Sequence, residues 1–207
     1  MKMPLVGIGL LYREGYFRQY LDKDGWQQEA YPETDLYHLP LSKLKDKDGN
    51  DLVVRIAGQG ADMLAQVWKV RVGRIPLILL DTNLPVNPPE IRDITARLYS
   101  GEQHIRLAQE VLLGIGGMRA LDALNISPSV VHLNEGHCAF AGIERLQQIM
   151  ERYGIDLETA REIVPRTTVF TTHTPVAAGH DEFPPAMVKP YLKSYEPAFG
   201  IPADDLV

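Results

Sequence analysis

The chain has 207 residues, of which 45% are hydrophobic and 23% charged, and its net charge is -6. Such a balance is typical of a globular protein with a sizeable core. A nucleic-acid partner is excluded, because phosphate binding needs a basic patch and the sequence shows none. No apolar run approaches the roughly 18 residues of a membrane span. The single cysteine, Cys138, allows no internal disulfide and indicates a reducing, cytoplasmic location.

Residues 1–90 alternate between short strands and turns, which predicts a mostly β, antiparallel elaboration. Asp24-Gly25 and Asp48-Gly49-Asn50 are turn signals of the kind that join antiparallel strands. The strands themselves are expected at Pro4 to Tyr12, Leu52 to Ile56, Ala65 to Val72 and Ile75 to Asp81.

From about Ile91 the spacing of apolar residues becomes helical. It predicts two helices separated near Ser100-Gly101, and further helices and strands that alternate. Such alternation implies an α/β fold with a parallel sheet beside the antiparallel part. Strands are expected at Val130 to Leu133 and at Thr167 to Thr172. Between them we expect a helix from Gly136 or His137 to Tyr153 and a second helix at Leu157 to Ile163, which Asp156 caps and Pro165 ends. A short helix is expected within Ala186 to Tyr195, where Pro190 kinks or restarts it.

The glycines between Gly114 and Gly117 could suggest a phosphate-binding loop. That fingerprint requires a strand, a turn and a helix in this order, whereas these glycines follow helical periodicity. The interpretation preferred here is a close crossing of two helices.

Two of the predicted strands end in side chains that form hydrogen bonds. Asn134, Glu135 and His137 follow the first, and the loop after the second carries His173, Thr174, His180, Asp181 and Glu182 with Gly179 as its pivot. The carboxyl ends of parallel strands meet at one edge of a sheet and build a site there. Carboxylates accept hydrogen bonds from sugar hydroxyls, and imidazoles and amides can both accept from them and donate to them. The sequence therefore predicts that both strand ends share one sugar-binding crevice.

Other interpretations of these residues stay open. Asn134 and Glu135 could cap the following helix, and His173 could be a core histidine. A metal-dependent hydrolase could use His137, His173, His180, Glu135 and Asp181, but no H-E-x-x-H or C-x-x-C spacing occurs, and no metal site is expected. Cys138 is expected to be a buried structural thiol, and Arg13 and Arg106 to be surface charges.

Four stretches resemble the α-glucan (glycogen, starch and maltodextrin) phosphorylases, most closely the bacterial and archaeal branch. They are V-G-I-G-L-L-Y-R-E-G-Y-F-R-Q at 6–19, D-G-W-Q-Q-E at 24–29, V-V-H-L-N-E-G-H-C-A-F at 130–140 and F-T-T-H-T-P-V-A-A-G-H-D-E-F-P at 170–184. The resemblance implies two Rossmann-like halves facing each other across a cleft, the GT-B type of glycosyltransferase. Residues 1–207 would be an incomplete N-terminal half, in which 91–207 form the βαβ portion with the sugar-site loops.

The resemblance also implies a reaction, the transfer of a terminal glucosyl unit of an α-1,4-glucan or maltodextrin to phosphate, giving glucose 1-phosphate. His173 matches a histidine at the C6 hydroxyl side of the reacting glucosyl unit. Positions lining the same pocket and the acceptor subsite are matched by Thr174, Glu135 and His137. Asp181 matches an acidic position on the loop after that histidine. Asn134 is taken as a substrate-binding residue together with them. These residues would position the substrate, and no catalytic residue is expected in this segment.

The pyridoxal phosphate of the family is held by a lysine that has no counterpart here, and the glycine-rich phosphate loop would lie before Met1. The 207-residue chain is therefore expected to lack phosphorolytic activity on its own, and the full-length protein to be a homo-oligomer. A non-catalytic carbohydrate-binding remnant is the alternative from another class.

Overall fold

The computed structural model describes residues 3–58, 60–98, 101–176 and 181–206. Its strands are β1 Gly7–Leu10, β2 Arg18–Leu21, β3 Gln27–Ala30, β4 Ser42–Lys43, β5 Val53–Ile56, β6 Met63–Val72, β7 Ile75–Asp81, β8 Val131–Asn134 and β9 Thr168–Thr171. Its α-helices are α1 Pro89–Arg92, α2 Gln103–Val111, α3 Gly117–Ala123, α4 Ala141–Tyr153, α5 Leu157–Arg166, α6 Pro185–Leu192 and α7 Glu196–Phe199.

The larger sheet joins parallel and antiparallel pairing. Its strand order is β1-β7-β6-β4, with β5 also paired to β6. β1 runs parallel to β7, while β4, β5 and β7 run antiparallel to β6. Apolar residues of β5, β6 and β7 alternate toward the helices and form the main core with α2, α6 and the turn between α2 and α3. The prediction of an α/β chain with an antiparallel elaboration is confirmed.

The parallel strands β8 and β9 form a separate two-stranded sheet, with Asn134 opposite Thr171. The sequence predicted a parallel sheet beside the antiparallel part, and the structure has parallel pairs in two separate sheets, β1–β7 and β8–β9; in the described ranges β8 pairs with no strand but β9. The reason lies in the packing between the two sheets. Ile8 of β1 and Val131 and Leu133 of β8 all pack on a small core around Met118, so side chains rather than backbone bonds connect the sheets.

The β2–β3 hairpin projects from the body, and every residue of both strands is exposed. Gly25 has a φ of 84° at its tip, a conformation that glycine adopts without strain and that confirms the Asp24-Gly25 turn. Trp26 beside it is 74% exposed. The hairpin therefore depends on its own cross-strand bonds and on its base for its stability.

Helices α2 and α3 are joined without a break by a π-helical turn, Leu112–Gly116. A Cβ atom at Gly114 would lie 2.6 Å from the backbone nitrogen of Ala141 and 2.9 Å from the carbonyl carbon of Phe140. Only glycine leaves room for this contact with the start of α4. The predicted close helix crossing is confirmed.

Three helix boundaries differ from the predictions. The first helix is only α1, followed by a 3-10 turn at Asp93–Thr95. Helix α5 continues through Pro165, and α6 is a single helix across Pro190. In α5 the hydroxyls of Thr167 and Thr168 donate to carbonyls of Ile163 and Val164, so the last turn is held without the proline N–H.

Asp156 caps α5 through its carboxylate, and Gly154 ends α4 with a φ of 62°, both as predicted. Within the described ranges, no helix combines the length and apolar character needed to cross a bilayer.

Candidate functional site

The two predicted motifs leave adjacent strands at the same edge. Asn134 and Thr171 are paired at the carboxyl ends of β8 and β9, and the next backbone N–H, that of Glu135, donates to the Thr171 carbonyl at 2.8 Å. Parallel pairing in this register brings the residues after Asn134 next to those after Thr171. The structure thus places Glu135 beside His173, as the sequence predicted.

The carboxylate of Glu135 is the centre of this edge. It is 3% exposed, and its Oε1 accepts hydrogen bonds from the backbone nitrogens of His173 at 2.8 Å and Thr174 at 2.9 Å. The Thr174 hydroxyl donates to the same oxygen at 2.8 Å. These hydrogen bonds, of which the one from the His173 backbone has the largest effect, lower the pKa of Glu135 to about 2. The carboxyl group is therefore ionised at neutral pH.

Glu135 holds this position with a strained backbone. Its φ of 61° and ψ of -176° lie in a region that is essentially reserved for glycine. Its side chain makes no capping bond to the short 3-10 turn that follows, so the interpretation of Glu135 as a helix cap was wrong. Its second oxygen, Oε2, is buried and accepts no hydrogen bond from the described part of the chain.

His173 lies on the open side of Glu135. Its side chain is 59% exposed, which rules out a core histidine. Its Nε2 is 3.2 Å from Oδ1 of Asn134, and its Nδ1 is 3.3 Å from Oε1 of Glu135. We refer to Asn134, Glu135, His173 and Thr174 as the strand cluster. In this cluster the His173 imidazole and the Asn134 amide face solvent, and backbone N–H groups hold the Glu135 carboxylate in place.

His137 and Asp181 belong to a second group with Arg106 and Glu110 of α2, which we refer to as the helix cluster. Nη2 of Arg106 lies 2.5 Å from Oδ2 of Asp181 and 3.7 Å from Oε1 of Glu110. Nδ1 of His137 lies 3.2 Å from Oε1 of Glu110 and 3.7 Å from Oδ2 of Asp181. The side chain of Arg106 is only 14% exposed, so its interpretation as a surface charge was wrong.

The two acids of the helix cluster have opposite pKa shifts. Burial and then the neighbouring Asp181 raise the pKa of Glu110 to about 8. Burial also opposes ionisation of Asp181, but hydrogen bonds from Arg106 and Glu110 outweigh it and lower its pKa. At neutral pH the cluster therefore holds a proton on Glu110 and a charge on Asp181, which faces Arg106.

Glu110, His137 and Asp181 have ligand atoms within 4.8 Å of one another, a spacing that a metal ion could use. The Nη2 atom of Arg106 contacts all three, at 3.4 Å from Nδ1 of His137. A guanidinium thus already occupies the place of the cation, which argues against the hydrolase alternative. His180 and Gly179, named with these residues above, lie outside the described residues.

Glu110 was missed as a site residue, and its partner Arg106 was misjudged. Both lie on one face of α2 in the segment R-L-A-Q-E, four positions apart. An ion pair at this spacing is common on exposed helices, so no local pattern indicated that these two would be buried beside His137. A hexose-sized hollow between the two clusters stays a prediction, since residues 177–180 lie outside the described chain.

The two other candidates from the sequence are structural. Cys138 is half-buried, its Sγ lies 3.9 Å from the Glu135 carbonyl oxygen, and burial raises the pKa of its thiol. This agrees with a structural thiol, because a nucleophilic cysteine needs a lowered pKa. Arg13 pairs with Asp93 at 2.9 Å.

The fold and these two clusters define an α/β protein with a polar site at the carboxyl edge of a parallel strand pair. The chain is 46% identical over 217 residues to the glycogen phosphorylase of Mycobacterium tuberculosis, an alignment covering 99% of this chain and 25% of that protein. The maltodextrin phosphorylase of Thermococcus litoralis is 45% identical over 205 residues, with 99% of this chain and 24% of that protein covered. The glycogen phosphorylase of Aquifex aeolicus is 32% identical over 198 residues.

No protein-family model matches the chain. Since nearly all of its residues align with these relatives, the chain belongs to the glycogen and maltodextrin phosphorylase family as a segment of it. It spans about a quarter of the length of the relatives it matches.

Proposed function

We propose that this chain is the sugar-positioning part of an α-glucan phosphorylase, an enzyme that transfers a terminal glucosyl unit of an α-1,4-glucan to phosphate. The observation that carries the proposal is the strand cluster in a chain related to glycogen and maltodextrin phosphorylases over 99% of its length. A sugar ring needs fixed groups that meet its hydroxyls from both sides. Asn134 and His173 are such groups, and both are accessible from solvent.

The carboxylate of Glu135 acts through His173 rather than on the substrate chemistry. It is ionised at neutral pH and fixes the backbone of residues 173 and 174 through two N–H groups. A pre-positioned imidazole reduces the entropy lost when the glucosyl unit is aligned with its phosphate acceptor. In the helix cluster, His137 and Asp181 are oriented by Arg106 and Glu110 and would contact the neighbouring sugar unit.

Pyridoxal phosphate is part of this proposal only as a cofactor of the longer protein. When bound, it supplies a phosphate group that acts as acid/base partner of the substrate phosphate. Its attachment requires a lysine amine, and neither cluster contains a lysine. These residues therefore do not fit the cofactor, and they are assigned to sugar positioning alone.

The remaining parts of the proposal rest on the family resemblance. They are the GT-B arrangement, with residues 1–207 as a partial N-terminal glucosyltransferase domain, and homo-oligomerisation and a cytoplasmic location of the full-length protein.

The test is binding of maltoheptaose to the 207-residue chain, measured by isothermal titration calorimetry. His173→Ala removes an exposed ring with two polar contacts, so we expect affinity to fall roughly five- to tenfold with folding unchanged. His104→Ala is the matched control, because His104 is an exposed histidine on α2 that pairs only with the exposed Glu102 among the contacts described. Equal affinity of both variants and the parent chain would remove His173 from the sugar site.

A second assay separates positioning from catalysis. The chain is incubated with maltodextrin, phosphate and pyridoxal phosphate, and glucose 1-phosphate is measured. We expect none to form. Its release at a rate proportional to protein concentration would show that the chemistry resides in this segment, whereas binding without release supports the proposal.

A further inference from the structure

A cavity of about 260 Å³ lies at the opposite end of the β8–β9 pair from the strand cluster. Its wall includes Ser127 and Ser129, which precede β8, and Thr167, which precedes β9. Helix α4 adds two arginines, Arg145 and Arg152, and the amide of Gln148. Neither this cavity nor its arginines take part in the sugar-binding proposal.

Arg145 is a buried charge without an acidic partner. It is 5% exposed, and its Nη1 and Nη2 donate to the hydroxyls of Thr168 at 2.6 Å and Thr167 at 2.8 Å. Its longer contacts go to the carbonyls of Thr167 and Val164, at 3.3 and 3.5 Å. All of these partners are neutral, and no described ion pair includes Arg145. A buried charge is normally paired with an opposite charge, because removing an ion from water is energetically costly.

The contacts of Arg145 to the last carbonyls of α5 have a structural role, since a cation stabilises a helix C-terminus. That role does not account for the second arginine. Arg152 lies on the same cavity wall, bonds to Asp122 at 3.0 Å, and donates to the Ser127 hydroxyl. The residues lining the cavity include two arginines and no acid, although the chain as a whole carries a net charge of -6.

The apolar part of the wall comes from Met118, Pro128, Ile149, Ile163 and Tyr153. A space of roughly 10–15 Å³ already holds one water molecule, so this cavity has room for a ligand of several heavy atoms. A cationic end beside an apolar wall suits an anion that carries a small carbon skeleton.

We propose that this cavity binds a phosphate-type oxyanion, either inorganic phosphate or the phosphoryl group of a small ester. The guanidinium of Arg145 supplies the buried charge and Arg152 a second cation at the rim. A planar guanidinium fork and nearby hydroxyls match tetrahedral oxyanions, which accept several hydrogen bonds at once. Bound oxyanion would neutralise the otherwise unpaired charge of Arg145.

The experiment measures binding of inorganic phosphate and of glycerol 3-phosphate to the 207-residue chain at constant ionic strength, by calorimetry, with glycerol as the neutral control. These probes carry no hexose, so sugar binding at the strand cluster does not contribute. We expect both anions to bind and glycerol not to bind. Tighter binding of the ester would assign the ligand to phosphate esters, and tighter binding of phosphate to the inorganic ion.

Substitutions place the binding in this cavity. Arg145→Gln should weaken it by about tenfold or more, as loss of a charge-assisted hydrogen bond does. Since that variant could unfold, Ser129→Asp serves as a second one: Ser129 is exposed, and a carboxylate at the rim should repel the anion by a comparable factor. Arg161→Gln, at an exposed arginine of α5 outside the cavity, is the control and should bind as the parent does. Absence of binding, or affinity unaffected by Ser129→Asp, would overturn the proposal.

Discussion

Two glutamates of the candidate site differ in charge although the side chains of both are buried. Glu135 is 3% exposed and Glu110 6%. The pKa of Glu135 is lowered to about 2, whereas that of Glu110 is raised to about 8. Glu135 accepts three hydrogen bonds at one oxygen, two of them from backbone N–H groups. For Glu110, burial is the largest cause of the rise and the second acid, Asp181, adds to it, while only Arg106 opposes it.

The comparison shows that the donors around a carboxyl group, and not its burial alone, decide whether it is ionised. It also gives opposite dependences of stability on pH. The lowered pKa of Glu135 means that its contribution is present above the ordinary value of 4.5 and is lost as pH falls toward 2. The raised pKa of Glu110 means that folding is favoured below 4.5 and weakened as pH rises from there to about 8.

The largest effect should come from Gly114→Ala, at the close contact between the turn that follows α2 and the start of α4. The added Cβ would meet backbone atoms of Phe140 and Ala141 that are not free to move aside. We expect the free energy of unfolding in urea to fall by about 3 kcal/mol, at the upper end of ordinary overpacking.

Gly142→Ala is the matched control, because a Cβ at Gly142 meets no atom within 4 Å and the position lies in α4. It should be neutral or stabilising by up to about 1 kcal/mol. A loss of stability as large as that of Gly114→Ala would show that the helix crossing is not the cause.

The second effect concerns Glu110→Gln, which resembles the protonated acid and can still donate to Asp181. Glu110 has to stay protonated in the folded state up to about pH 8 but ionises at about 4.5 when unfolded, so the parent protein loses stability over this range. We expect the variant to lose less and to be more stable at pH 9 by on the order of 2 kcal/mol.

The measurement is urea unfolding at pH 5, 7 and 9 for both proteins. Parallel pH profiles would mean that Glu110 is already ionised at pH 7 and that its contrast with Glu135 does not exist.

The smallest effect should follow Thr174→Val, which keeps the shape of the side chain and removes one of the three donors to Glu135. The pKa of Glu135 should rise, because one hydrogen bond to its charged form is lost. Stability at pH 7 should change little, since both backbone donors remain. The titration is followed by the side-chain carboxyl carbon shift in NMR spectra, and an unchanged midpoint would show that the backbone bonds alone set the pKa.

The sequence predicted the strand cluster because its causes are local. A short apolar strand followed by polar residues occurs twice, and parallel pairing places Glu135 beside His173. The strained φ of Glu135 was not predictable, since no local signal marks a non-glycine residue in that region. Its stabilising bonds come from residues 173 and 174, which are distant in sequence.

Only half of the helix cluster was predicted, because the other half depends on contacts between residues that are distant in sequence. His137 and Asp181 follow strands, but Arg106 and Glu110 are brought to them by the close contact at Gly114, where the turn after α2 meets the start of α4. The separation of β8 and β9 from the larger sheet also depends on tertiary packing, around Met118. Periodicity gives the type of each element, but not which elements hydrogen-bond to each other.

The projecting β2–β3 hairpin has a practical consequence for spectroscopy. The chain contains two tryptophans, and Trp26 stands in water at the hairpin tip while the indole nitrogen of Trp68 on β6 is shielded. Their emission should differ in wavelength, and a soluble quencher such as iodide should reach Trp26 first. Fluorescence can therefore follow the hairpin and the main sheet separately during unfolding without any added label.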